Sequence, residues 1–89
     1  MELEKGMLAI SKAGHDKDCW YVVQKVEDNF VYLVNGETKK VDAPKKKKRK
    51  HLQPVNEIPE LLAVKLQNQV PWTNEEIKRA LKLAKRIDF

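Results

Sequence analysis

The spacing of apolar residues changes character near Pro54, and that change limits what the chain can build. Ahead of it, short aromatic and β-branched runs alternate with polar breaks, the pattern of strands on a half-buried pleated surface. Behind it, apolar residues recur every three to four positions, which is the helical period. With 89 residues there is room for one small domain, and a chain of this size buries only about 60% of its unfolded surface. The expected organisation is a β unit over residues 1–53 and a helical extension over 54–89 that is not an independent domain.

Within the β unit, Met7-Leu8-Ala9-Ile10 follows Gly6 as a buried strand and gives way to a polar loop, Lys12 to Asp18. Trp20 to Val26 and Phe30 to Val34 are the next strands, separated by a turn at Asp28-Asn29. Asn35-Gly36 supplies the positive φ angles of a two-residue type I′ turn, so Thr38 to Val41 is expected to return as the hairpin partner. His51-Leu52 is the candidate closing edge strand. About five short strands in so few residues fit a mainly β protein built on a small, strongly bent sheet or barrel. Closing it would protect its edges from pairing with other chains.

The tail reads as two helices. Glu57 to Leu66 places Ile58, Leu61, Leu62 and Leu66 on one face, with Pro59 in the first turn. In the last helix Thr73 and Glu76 form a capping box, and Trp72 is spaced to staple onto Ile77. Ile77, Ala80, Leu81, Ala84 and Ile87 then follow the helical period. Few outward-facing apolar residues remain on so small a β unit to receive that stripe. Partial docking is therefore expected, anchored by Trp72, with a fraying last turn and only a small loss of stability on truncation.

Between Pro44 and His51 lie six consecutive cations, Lys45-Lys46-Lys47-Lys48-Arg49-Lys50. Adjacent like charges repel, and the repulsion is relieved when the side chains meet a polyanion and displace its counterions. The net charge is +5, and residues 1–53 hold twelve Lys/Arg against eight Asp/Glu, so the basic excess belongs to the front half. Nucleic-acid contact is the leading reading; a nuclear import signal is another meaning of such a run. As solvated side chains, Lys45 to Lys48 are expected to tolerate glutamine without loss of fold.

Other classes find little support. Cys19 is a single cysteine, and with His15 and Asp16 it falls short of a four-ligand zinc set, so no metal or cofactor is expected. Ser11, His15, Asp16 and Cys19 crowd one loop with nothing to order them as a catalytic triad, so neither an enzyme nor a small-molecule substrate is expected. No apolar stretch is long enough to span a membrane, and the N-terminus lacks a signal-like core. The expected location is the cytoplasm.

The run Gly6-Met7-Leu8-Ala9-Ile10-Ser11-Lys12-Ala13-Gly14-His15-Asp16-Lys17 resembles a KOW motif. With Asn35-Gly36, Lys39-Lys40 and the lysine run ending in His51-Leu52, the first 53 residues are similar to the small KOW proteins of the large ribosomal subunit and their short bacterial relatives. The resemblance implies an SH3-like barrel of about five short strands with a helical C-terminal extension. It also implies an RNA-binding, ribosomal or ribosome-associated role, with ribosomal RNA and the ribosome as partners.

The residues it points to are Lys12, Gly14, His15 and Lys17 in the loop, Lys39 and Lys40 after the turn, and Lys45, Lys46, Lys47, Lys48, Arg49 and Lys50. These are expected to form one electropositive face. Where the family often has a second loop glycine this chain has Asp18, which tolerates left-handed backbone less freely. Strand alternation makes Tyr21 or Tyr32 the aromatic that faces outward to stack on a base. The alternative function is a protein-interaction module of the transcription or translation machinery that docks through its amphipathic C-terminal helix.

Overall fold

A computed structural model describes residues 2–55 and 57–87. Five strands form one antiparallel sheet: β1 (Leu8–Ser11), β2 (Trp20–Val26), β3 (Phe30–Val34), β4 (Lys45–Lys48) and β5 (Leu52–Val55). Two helices follow, α1 (Glu60–Gln67) and α2 (Asn74–Ile87). Strand order is β4-β3-β2-β1-β5. The end strands β4 and β5 are consecutive in the chain, joined only by a 3₁₀ turn over Arg49–His51. So short a connection between opposite ends of the order forces the sheet to roll. No ladder among the described residues joins β4 to β5, so the rolled sheet stays open.

Both faces of the sheet carry a buried cluster, each packed against something different. Leu8, Val22 and Val34 stand opposite one another across β1, β2 and β3 and therefore share a face. That face is covered by Leu62 of α1 and by Trp72, Ile77, Ala80 and Leu81. The opposite face holds Ala9, Tyr21, Val23, Val31, Leu33 and Leu52, which with Leu3 pack on one another inside the roll. Residue 24 forms a bulge in the β2–β3 ladder, and the Gln24 side-chain amide donates to the Val41 carbonyl at 3.0 Å.

The tail helices are half of the main core rather than a loosely docked appendage. The capping box forms: Glu76 Oε1 accepts from the Thr73 N–H at 2.9 Å, and Thr73 Oγ1 accepts from the Glu76 N–H at 3.2 Å. The Thr73 N–H, first, and Lys65 hold the Glu76 carboxyl below its ordinary value. Lys65 Nζ lies 2.9 Å from Glu76 Oε2 and ties the helices together. Trp72 Nε1 donates to the Leu62 carbonyl at 3.0 Å, so its polar edge is satisfied inside the core. Partial docking underrated Leu8, Val22 and Val34, which form a receiving surface for the helices on the outer face of the roll. The end of α2 at Ile87 is helical; the side chain of Ile87 lies outside the described residues.

Two turns differ from expectation. Thr38 to Val41 forms no strand, and the partner of β3 is the lysine run itself. Asn35 Oδ1 accepts from the N–H groups of Glu37, Thr38 and Lys39, closing a side-chain-centred loop instead of a two-residue hairpin. Gly36 has φ +78, and a Cβ there would collide with the Asn74 carbonyl oxygen. The glycine thus serves the contact of this loop with the start of α2, where Asn74 Oδ1 accepts from the Val41 N–H at 2.9 Å. Pro59 lies just outside α1 as its N-cap, with extended ψ 137, so that helix begins later than its apolar pattern. No described helix is long and apolar enough to cross a membrane.

Because Ile77 is fully buried between sheet and helices, Ile77→Ala is expected to lower unfolding free energy by about 2–5 kcal/mol. Urea denaturation followed by circular dichroism checks this. A change below about 0.5 kcal/mol would return α2 to the status of a loosely attached tail.

Candidate nucleic-acid interface

Strand geometry divides the lysine run. Successive side chains of a strand point to opposite faces, and β4 pairs with β3 so that Lys45 faces Leu33, Lys46 faces Tyr32, Lys47 faces Val31 and Lys48 faces Phe30. Lys45 and Lys47 therefore share the inner face with Val31 and Leu33, and Lys46 and Lys48 share the outer one. The inner pair has a target. Lys47 Nζ lies 2.9 Å from Asp16 Oδ1 and donates to the Ala13 carbonyl at 3.0 Å, while Lys45 Nζ lies 3.0 Å from Asp16 Oδ2. The side chains of Lys47 and Asp16 are only 10% and 11% exposed.

Asp16 gathers four side-chain donors. Besides the two lysines, the Ser11 hydroxyl donates at 2.8 Å and the Tyr21 hydroxyl at 2.9 Å. Burial by itself pushes the carboxyl up, but the hydrogen bonds from Lys47, Lys45, Ser11 and Tyr21 together outweigh it and hold the group well below the usual range. The same contact, added to burial, pushes the Tyr21 hydroxyl up. Tyr21 thus points inward and is spent on this network; it is not the outward aromatic of its pair.

The loop around Asp16 is held by its backbone. Asp18 N–H donates to Ser11 O at 2.8 Å and Cys19 N–H to Asp16 O at 2.9 Å. Gly14 takes φ +84 and Asp18 takes φ +73, so both loop positions use the left-handed region. Nothing crowds a Cβ at Gly14 closer than 3.7 Å, so its requirement there is one of φ. Lys12, Gly14, His15 and Lys17 are exposed around this loop.

Arg49 is also committed to its own chain. Its Nε and Nη2 donate to the Glu27 carbonyl at 3.0 and 2.8 Å, and its backbone N–H donates to Asn29 O. These bonds dock the 3₁₀ turn on the β2–β3 turn. Lys46, Lys48 and Lys50 are exposed and, among the described residues, take part in no ion pair. Lys46 Nζ lies 4.4 Å from the Phe30 ring centroid and 6.0 Å from that of Tyr32. At an exposed site such a contact stabilises by about 0.5–1 kcal/mol.

The sequence-derived residues thus fall into three places. Lys45 and Lys47 bind the Gly14 loop to β4 from inside. Lys46, Lys48 and Lys50 form the outer edge, next to Phe30 and Tyr32. Lys39 and Lys40 lie in the β3–β4 connection beyond the opposite end of β3, in the loop whose Val41 is bonded to the start of α2, and are not brought next to Lys48 and Lys50. Lys25 was not among the sequence candidates, and Phe30 was passed over as a stacking aromatic in favour of Tyr21 or Tyr32. The signal that would have found them is the pairing of β3 with the run, which the Asn35-Gly36 turn concealed. Compared with models of known protein families and with curated protein sequences, the chain matches none.

Asp16 makes stability depend on pH. Its folded pKa lies below the unfolded value of about 4, so the contribution is complete above that value. It is lost as pH falls below about 4, where the unfolded chain binds a proton that the folded one refuses. Asp16→Asn should flatten this acid limb in urea titrations run at several pH values. Contrary to the sequence expectation, Lys47→Gln should cost about 1–3 kcal/mol, whereas Lys46→Gln and Lys48→Gln should stay within about 0.5 kcal/mol.

Proposed function

We propose that this chain is an RNA-binding protein of the translation machinery, ribosomal or ribosome-associated, acting in the cytoplasm. The sorting of the lysine run carries the reading. Three of its cations are neutralised or bonded within the chain, Lys46 and Lys48 are left on the outer side of a strand whose backbone is fixed, and Lys50 is exposed in the 3₁₀ turn that follows. Cations displayed by a fixed backbone gain phosphate contacts without ordering a loop first. Lys12, His15 and Lys17 extend the basic surface from the adjoining loop, since Lys47 ties that loop to β4. Phosphate contacts then supply most of the affinity, and the shape of a structured RNA most of the selectivity.

Two further points support it. The rolled sheet, with its end strands joined by a 3₁₀ turn, is compatible with an SH3-like barrel of the KOW type. Asp18 in left-handed backbone occupies the place where the KOW resemblance calls for a glycine. We read the chain as a binder rather than an enzyme because the Ser11 hydroxyl and Asp16 carboxylate are committed to each other and to the fold.

A protein partner is the second reading. The apolar stripe of α2 at Ile77, Ala80 and Leu81 is taken up by the chain's own core. What favours a partner is a separate groove between α1, α2 and β5, where Val64 and Leu83 are 50% and 44% exposed.

Salt dependence tests the first reading. If Lys12, Lys17, Lys46, Lys48 and Lys50 each meet a phosphate, log affinity should fall against log salt with a slope of about −3.5 to −4.5. Replacing Lys46, Lys48 and Lys50 with glutamine should make the slope shallower by about 2 to 3. A flat profile for the unaltered protein overturns phosphate-led binding, and an unchanged slope in the triple variant moves the site elsewhere.

A further inference from the structure

Phe30 and Tyr32 lie two residues apart on β3 and belong to neither hydrophobic core. Both project away from the face that holds Val31 and Leu33. Lys46 and Lys48 stand opposite them on β4, Lys25 stands opposite Tyr32 on β2, and Lys50 lines a cleft beside Phe30 with Asn29 and Arg49. The other flank is of mixed charge. Tyr32 donates its hydroxyl to Glu27 Oε1 at 3.2 Å, Lys25 Nζ lies 3.4 Å from Glu27 Oε2, and Asp28 follows in the turn. Two ring faces are thus bordered by cations along β4 and carboxylates along the β2–β3 turn.

We propose that this platform binds unpaired nucleobases of single-stranded or looped RNA. Bases stack on Phe30 and Tyr32, and the phosphates run along Lys46, Lys48 and Lys50. The inference rests on the RNA-binding reading above and gives that site its substrate class. Charge biases the strand's placement: Lys46, Lys48 and Lys50 attract phosphates to the β4 side, whereas at the β2–β3 turn Glu27 is balanced by Lys25 and Asp28 adds a negative charge, so the backbone lies over β4 and the bases over β3. A paired helix offers phosphates to the lysines but no free base face to the rings.

The position of Lys46 decides whether a base can enter at Phe30, because its ammonium covers that ring at 4.4 Å; at Tyr32 the nearer ammonium is that of Lys25, 5.5 Å from the ring centroid and held by Glu27. Displacing the Lys46 ammonium costs about two- to fivefold in affinity. Stacking a base on an aromatic ring returns about fivefold to over a hundredfold. The exchange favours the base, and the displaced ammonium is left on a flexible stem beside the phosphate of the same nucleotide. An acidic peptide would satisfy the lysines as well, but it brings no planar group to the rings.

Fluorescence anisotropy with a labelled unpaired oligonucleotide, a duplex RNA of equal length and a polyglutamate peptide tests the proposal. The single strand should bind at least about tenfold more tightly than the duplex. Combining Phe30→Leu with Tyr32→Leu should remove that preference and leave duplex affinity and its salt slope unchanged, while Tyr32→Phe keeps it. In the unaltered protein, ring-proton resonances of Phe30 and Tyr32 should move upfield on adding the oligonucleotide, a readout that needs no variant to fold. Equal binding of single strand and duplex, equal competition by the peptide, or unmoved ring resonances would each overturn the platform while leaving phosphate-led RNA binding intact. Failure to bind any RNA overturns the RNA-binding reading itself, and the platform with it.

Discussion

One carboxylate organises the front of this molecule. Asp16 sits under the inner face of the sheet with two ammonium groups and two hydroxyls directed at it. A carboxylate this buried is stable as an anion only when its lone pairs are filled and its charge is met. Lys45 and Lys47 provide the charge, and doing so requires the basic run to lie as a strand against β3. Once those two point inward, alternation sends Lys46 and Lys48 outward. The exposed basic surface therefore follows from an ion pair on the other side of the sheet.

The same strand solves an edge problem. β4 ends the sheet order, and an exposed edge invites pairing with another chain. Lysine along the edge discourages that. The helices act at the other end of the same face. They cover Leu8, Val22 and Val34 and leave Tyr32 and Phe30, farther along β3, uncovered. One continuous sheet face is in this way half core and half surface.

How much of this was legible depended on whether a signal was local. The capping box at Thr73 and Glu76 was readable because both partners lie within one helical turn. β1, β2 and β3 were readable because their apolar runs are bounded by polar breaks. β4 was not, since six cations carry no apolar period and the usual β propensities argue against them. What makes them a strand is Asp16, distant in sequence, and no local rule reports it. Asn35-Gly36 misled for a related reason. Its glycine is needed, but by the backbone of Asn74 in α2 rather than by a hairpin. The docking of α2 was underrated because the strands carry apolar residues on both faces: Leu8, Val22 and Val34 line the outside of the roll and give the helices a second face to bury. The basic character of the candidate site was thus visible in the chain, whereas its division between inner and outer lysines needed the pairing with β3.

The near-uniformity of β4 bears on how the chain tolerates change in length. In an ordinary strand with one buried face, slippage by a single residue turns the whole apolar set toward water. Here slippage exchanges lysine for lysine: an ammonium still reaches Asp16, and another still faces outward. The four lysines of β4 are degenerate to their own alignment, and their position is set from outside, by Arg49 and buried Leu52 after them. Gain or loss of one lysine inside the run would thus alter the reach of the connection before β4 while preserving both the internal ion pairs and the outer row of charge. A segment that looks like low-complexity sequence is, for this fold, a strand whose chemistry does not depend on its phase.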